Sequence, residues 1–208
     1  MSKSVYTIGH STQTVEHFIE LLQMHGITAV ADVRSSPYSR INPQFNREPL
    51  RERLRQSGIA YAFLGKQLGA RSDDRRCYRD GKVQYDLLAQ TSLFKDGIAR
   101  VLEGSDTYRV GLMCAEKDPL ECHRAILVSR VLHERAVDIK HVLADGRVET
   151  QEDLVERMLS RLHSHSEDMV SSKDELIQEA YRAQSEAIAY EDEAMRKTDQ
   201  TVGVEGQS

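Results

Sequence analysis

Short apolar runs alternate with amphipathic stretches along this chain. Val5-Tyr6-Thr7-Ile8-Gly9 is a first run of strand length, and residues 14–24 then set Val15, Phe18, Ile19, Leu21 and Leu22 near helical spacing before Gly26 stops the pattern. Residues 28–33 form a second buried-type run, residues 59–64 a third, 108–113 a fourth and 137–143 a fifth. Between them lie a Pro-containing loop over 34–47, a short helix over 49–56 and a polar, irregular stretch over 65–82. Helical periodicity returns over 85–103, 118–134 and 151–162. Strands separated by helices pair in parallel through right-handed crossovers. The pattern therefore predicts an α/β three-layer sandwich over residues 1–162, with a mostly parallel, Rossmann-like or flavodoxin-like sheet of about five strands.

Composition changes this picture little. Of 208 residues, 39% are hydrophobic, enough for a core. No run of roughly 18 apolar residues exists, so no membrane span is expected. The start MSKSVYTIGHST lacks the basic-then-apolar order of a signal peptide. Cys77, Cys114 and Cys122 are too few for a secreted disulfide framework, so the expectation is the reducing cytoplasm.

Charge is more informative, because it is unevenly placed. Residues 151–208 hold 6 basic and 14 acidic residues, whereas residues 34–82 hold 12 Lys/Arg against 5 Asp/Glu. The basic block suits an anionic partner, either a small phosphate compound or nucleic acid; a solvated loop surface would show the same composition. Arg71-Ser-Asp-Asp-Arg75-Arg76-Cys77-Tyr78-Arg79 mixes arginine with tyrosine and could act as a flap over a phosphate or a strand. Residues 163–208 are read as an acidic, partly helical tail: a charged, solvated helix near 173–197, too poor in apolar residues for its own core and a candidate for docking a protein partner.

In parallel α/β sheets, ligands gather beyond the carboxyl ends of the strands. Here those ends read Gly9-His10-Ser11, Asp32-Val33-Arg34-Ser35, Leu64-Gly65 and Cys114-Ala115-Glu116. Asp118-Pro119 with Glu121 forms an N-cap, a proline at the first helical position and a capping box, placing Cys122, His123 and Arg124 at the positive tip of a helix. Such a tip favours an anion and stabilises a thiolate.

Thr7-Ile8-Gly9-His10-Ser11, Asp32-Val33-Arg34 with Ser36-Pro37, the stretch from Tyr61 to Gly65, and Cys114-Ala115-Glu116 followed by Cys122-His123-Arg124 resemble the domain of unknown function 488 family over about residues 4–145. The resemblance implies a shared fold and site and assigns no reaction.

Each residue at these ends has two readings. Cys114 is a candidate nucleophile or a buried strand-end thiol; Cys122 reads as helix packing. His10, Glu116 and His123 are candidate proton carriers, or loop-holding hydrogen-bond partners. Ser11, Asp32, Arg34 and Arg124 are candidate substrate contacts; Asp32, Arg34 and Arg124 could instead pair among themselves or with Glu116. His17, His25, His133, His141, His163 and His165 read as surface or helix residues. No Gly-x-Gly-x-x-Gly or P-loop is present, so the cofactor is left unknown. A zinc site from Cys114, Cys122, His123 and His10 is disfavoured, because adjacent helical residues diverge by about 100°. The expectation is an enzyme on a phosphate-bearing substrate. The alternatives are a nucleic-acid or nucleotide binding module, and a scaffold acting through the acidic tail.

Overall fold

The computed structural model describes residues 3–163, 172–194 and 196. The readings of residues 164–166 and 201–206 lie outside the described residues. In chain order the elements are β1 (Ser4–Gly9), α1 (Val15–Met24), β2 (Ala29–Asp32), α2 (Arg47–Gln56), β3 (Ala60–Phe63), α3 (Gly65–Leu68), β4 (Tyr78–Arg79), β5 (Lys82–Val83), α4 (Tyr85–Gln90), α5 (Ser92–Gly104), β6 (Val110–Cys114), α6 (Arg130–His133), β7 (Asp138–Val142), β8 (Val148–Thr150), α7 (Gln151–His163) and α8 (Lys173–Ile188).

The main sheet has six strands in the order β3-β2-β6-β1-β7-β8. Every pair is parallel except β7 with β8. Alternation along each strand feeds two cores. Leu112 and Ala31 face one, with α5, α6, α7 and α8; Met113, Val30 and Ile8 face the other, against Phe18 and Leu22 of α1 and Leu50 and Leu54 of α2. This is a three-layer α/β sandwich. Truncating a fully buried side chain such as Phe18 would cost about 3–5 kcal/mol.

Register sets the site. Gly9 lies beside Cys114 and Asp32 beside Met113, so the carboxyl ends of β1, β6 and β2 are level and adjacent. His10 N–H then bonds the Cys114 carbonyl at 2.9 Å and Val33 N–H the Met113 carbonyl at 3.0 Å. The loops after these three strands leave from one rim at the middle of the sheet.

The structure departs from the sequence pattern in five places. First, β8 is a sixth, antiparallel strand. Second, the helix expected over 85–103 is α4 and α5, parted at Thr91, whose side chain caps α5 by accepting from Phe94 N–H. Third, residues 118–134 are not one α-helix. Asp118 caps a single 3₁₀ turn, Pro119–Glu121; Cys122 is extended (φ −141°, ψ 133°); a π-helical segment, Arg124–Ser129, then runs into α6. Fourth, α8 is docked rather than solvated: Ala180 and Tyr181 are buried against α7 and the π-helical segment, and the chain after it adds Glu191 to the β4–β5 hairpin opposite Lys82. Fifth, that hairpin and the turn Arg75–Cys77 give the stretch over 65–82 regular structure, with Cys77 buried.

Candidate functional site

Two clusters share the rim. In the first, Arg34 is held by Asp32 through Nε–Oδ1 at 2.9 Å and Nη2–Oδ2 at 2.6 Å, donates to the Phe45 carbonyl at 2.9 Å, and donates from Nη1 to His10 Nε2 at 3.1 Å. Burial would lower the Arg34 pKa, but the Asp32 hydrogen bonds and charge raise it instead. Tyr61 donates to Asp32 Oδ2 at 2.7 Å; burial and the Asp32 charge push its hydroxyl pKa upward. His10 stacks on Phe45 with ring centroids 4.2 Å apart, and its Nδ1–H donates to the Ser11 carbonyl at 2.8 Å. Burial, with Arg34 beside it, lowers His10 to about 4. Both nitrogens of the neutral ring are therefore occupied. Ser11, at φ 48°, enters through its backbone, its N–H bonding the Ala115 carbonyl at 2.9 Å.

The second cluster surrounds Arg124. This fully buried arginine donates to the carbonyls of Glu116 at 2.8 Å and Lys117 at 3.3 Å, so the loop after β6 wraps its guanidinium. Gly9 is needed here: a Cβ would overlap the Glu116 carbonyl oxygen. The close approach that Gly9 permits is thus to the chain itself. Arg34 and Arg124 both make structural bonds, and Arg124, although its Nε has no hydrogen-bond partner, is fully buried.

Around Arg124, Cys122 Sγ lies 2.9 Å from Glu116 Oε2 and 4.0 Å from His123 Nδ1, and Cys114 Sγ lies 3.7 Å from the same Nδ1. His123 Nε2 donates to the Val33 carbonyl at 3.0 Å, which turns Nδ1 toward the two thiols. Burial alone would raise the Cys122 thiol; the Cys114 hydrogen bond, Arg124 and His123 outweigh it and hold Cys122 well below the ordinary thiol range. Burial and the Cys122 charge drive Cys114 the other way. Burial and Cys122 also raise Glu116. For His123, burial is outweighed by Cys122 and Glu116, and its pKa rises. The packing role expected of Cys122 is therefore only part of what it does, since its sulfur also contacts the Glu116 carboxyl and the His123 ring.

A cavity of about 300 Å³ opens on this cluster, lined by Cys114, Glu116 and His123 together with Ser35, Ser36, Arg71 and Tyr190. Arg34 reaches its edge; His10 and Ser11 do not line it. A second cavity of about 800 Å³ shares Ser35, Ser36 and Arg71 and adds Lys66 and Arg76. Arg71 belonged to a recognisable basic stretch. Ser36 was visible only within the motif Ser36-Pro37, and Tyr190, 67 or more positions beyond the other lining residues except Ile188, left no local signal. His141, read as a surface or helix residue, is wholly buried on β7 between Thr7 and Gln151.

A family model described as domain of unknown function DUF488 matches residues 14–131. The chain belongs to that family. The matched span holds β2, β3, β6 and the whole loop from Cys114 to Arg124, while β1 with His10 precedes it. No match was found among curated proteins or solved structures. Among the described residues of this DUF488 protein, no helix is long and apolar enough to cross a membrane.

Proposed function

We propose that this DUF488 protein is an enzyme that acts on a small phosphate-bearing substrate, of the nucleotide or nucleoside-phosphate kind, with Cys114, Glu116, Cys122 and His123 as its reactive centre. One observation carries the reading: Cys114, Glu116 and His123, groups able to move protons and electron pairs, line a cavity together with Ser35, Ser36 and Arg71, and a larger cavity that shares those last three residues adds Lys66. In this reading Arg71 and Lys66 meet the anion, with Arg34 and Arg124 supplying positive potential from behind. Glu116, which reaches the cavity, carries a proton. In a covalent route Cys114 Sγ attacks the substrate's electrophilic centre as His123 Nδ1 takes the thiol proton, the bond to the leaving group breaks as Glu116 gives that group its proton, and water then releases the group held on Cys114. His10 is given a supporting role, since both its nitrogens hold neighbours.

A pure nucleic-acid binding module is less well supported. Arg53 pairs with Glu16, Arg55 with Glu52 and Arg76 with Asp74, so three of the block's twelve basic residues already hold carboxylates. The scaffold reading loses the apolar side of α8, which is covered by the protein's own core.

The test is a panel of phosphomonoesters and nucleotides incubated with the full-length protein, with products followed by mass spectrometry. Turnover is expected for at least one of them. Glu116→Gln should lower kcat by about 10²–10⁴-fold, and Arg71→Ala should raise KM more than it lowers kcat. Saturable, steeply salt-dependent binding without turnover would transfer the case to the binding module. Neither turnover nor saturable binding of any phosphate compound would end the proposal.

A further inference from the structure

The donor set at the end of β6 is also that of a metal centre. We propose that Cys114, Cys122 and His123 bind one zinc ion, with Glu116 at the exchangeable fourth position facing the cavity. The sulfur, nitrogen and carboxylate atoms of these four residues all lie within 4.8 Å of one another. Zinc held tetrahedrally at Zn–S ~2.3 Å and Zn–N ~2.05 Å sets sulfur and nitrogen about 3.6 Å apart. The two S···Nδ1 separations are 3.7 and 4.0 Å, so the thiols and imidazole need only small adjustments to close on an ion. Glu116 lies closer to Cys122 than co-ligands do and must swing outward, into the cavity that it lines.

The objection from sequence rested on Cys122 and His123 being successive residues of an α-helix. They are not. Extended Cys122 followed by the helical turn at His123 (φ −58°, ψ −24°) brings both side chains to one point. The supporting bonds are those that metal ligands need. His123 Nε2–H is fixed on the Val33 carbonyl, which leaves Nδ1 as the donor. Arg124 N–H points at Cys122 Sγ at 3.4 Å, a bond that stabilises a metal thiolate. Two thiolates and an imidazole are a preferred zinc donor set, and three buried protein ligands beside a cavity are the pattern of a site that keeps one position for substrate or water. On binding, each thiol gives its proton to solvent and its lone pair to zinc. A zinc-bound Cys114 is not a free nucleophile, so in the loaded protein the covalent route is closed. Glu116 is left as the proton carrier beside the fourth position. The inference stands on the donor geometry and not on the choice of substrate.

The test uses the full-length protein, kept reduced. Metal analysis after gel filtration should find one zinc per chain. Cobalt added to chelator-stripped protein should give the intense visible bands of a tetrahedral ion and a near-ultraviolet thiolate-to-cobalt band. Cys114→Ser, Cys122→Ser and His123→Ala should each remove those bands and weaken zinc by at least ~10–100-fold in chelator competition. Cys77→Ser, whose thiol lies outside the cluster, should keep both, which separates ligand loss from misfolding. Zinc should also shield Cys114 and Cys122 of the unaltered protein from alkylation. No retained zinc and no thiolate-to-cobalt band in the unaltered protein, or bands undiminished in the three ligand variants, would overturn the inference. Turnover measured on the same samples keeps the two proposals apart: phosphate-ester turnover by protein that binds no metal removes the zinc and leaves the substrate reading, and stoichiometric zinc with no turnover does the opposite.

Discussion

Arg34 and Arg124 both carry positive charge into the interior, and they are stabilised differently. Arg34 has a carboxylate partner: Asp32 is fully buried and its two oxygens serve Arg34 and Tyr61. Removing one partner of such a pair strands the other charge. Asp32→Ala is expected to cost about 3–5 kcal/mol in chemical denaturation. A cost below ~1 kcal/mol would mean that Arg34 finds solvent, contrary to its burial. Arg124 has no carboxylate bond of that kind: its guanidinium bonds the Glu116 and Lys117 carbonyls, and its charge helps to hold His141 neutral. His141 receives the Thr7 hydroxyl at Nδ1 (2.8 Å), bonds Gln151 Oε1 through Nε2 (3.1 Å), and faces the charges of Arg124, Arg157 and Cys122. Burial first, and Arg124 second, depress its pKa to about 3. The unfolded chain takes up this proton near pH 6.5 and the folded chain does not until far lower, so the unfolded state binds more protons between those values. Stability is therefore lost as pH falls through that window, by up to about 1.4 kcal/mol per pH unit from this group. His141→Gln should flatten the acid limb of a stability-against-pH curve; an unchanged slope would show that His141 is not its source.

At the scale of elements, the parallel strands and α1 were legible because their apolar period is long and unambiguous. Val15, Phe18 and Leu22 made one stripe, and the structure buries it. The strand-end rule brought Asp32, Arg34 and Cys114 to one rim for the same reason. The segment over 118–134 misled because its local signals are genuine but short-range. Asp118 does cap Leu120 N–H at 2.9 Å, yet it is also clamped by Arg157 from α7 at 2.8 Å, and the turn it starts ends after three residues. Three-residue β8 was too short to show alternation. Helix α8 was misread because its buried contacts are an alanine and a tyrosine within a highly charged sequence, not a stripe of large aliphatics. Tyr181 ties α8 to the interior by accepting from Gln151 Nε2 at 2.7 Å, in the network that also holds His141. Tyr181→Ala should cost about 3–5 kcal/mol, and Tyr181→Phe about 1–3 kcal/mol through the donor it orphans. Equal costs for both would place the value of the contact in the hydroxyl rather than the ring.

Considered whole, the molecule surrounds the matched family span with elements from its two flanks. Strand β1 slots between β6 and β7 from the amino-terminal side, and from the carboxyl-terminal side come β7, β8, α7 and the α8 segment. The last of these reaches the cavity itself. After α8 the chain turns along the β4–β5 hairpin, where Val83 N–H bonds the Tyr190 carbonyl at 3.0 Å and Asp192 N–H the Gly81 carbonyl at 2.7 Å. This seats the Tyr190 ring under the Arg71 guanidinium, which lies 4.3 Å from the ring centroid, in the lining of the cavity that Cys114 also lines. Such a contact is worth about 0.5–2 kcal/mol, enough to position Arg71 but little beside the total stability of a domain. Tyr190→Ala is thus expected to leave the denaturation midpoint nearly unchanged while raising, several-fold, the rate at which Cys114 is alkylated in metal-stripped protein, with sites assigned by peptide mapping. Tyr190→Phe keeps the ring over which Arg71 sits and should keep the slow rate. If the Ala variant reacts no faster, the carboxyl-terminal segment is only a buttress for the hairpin; if it reacts faster, residues outside the family span govern access to the family's site.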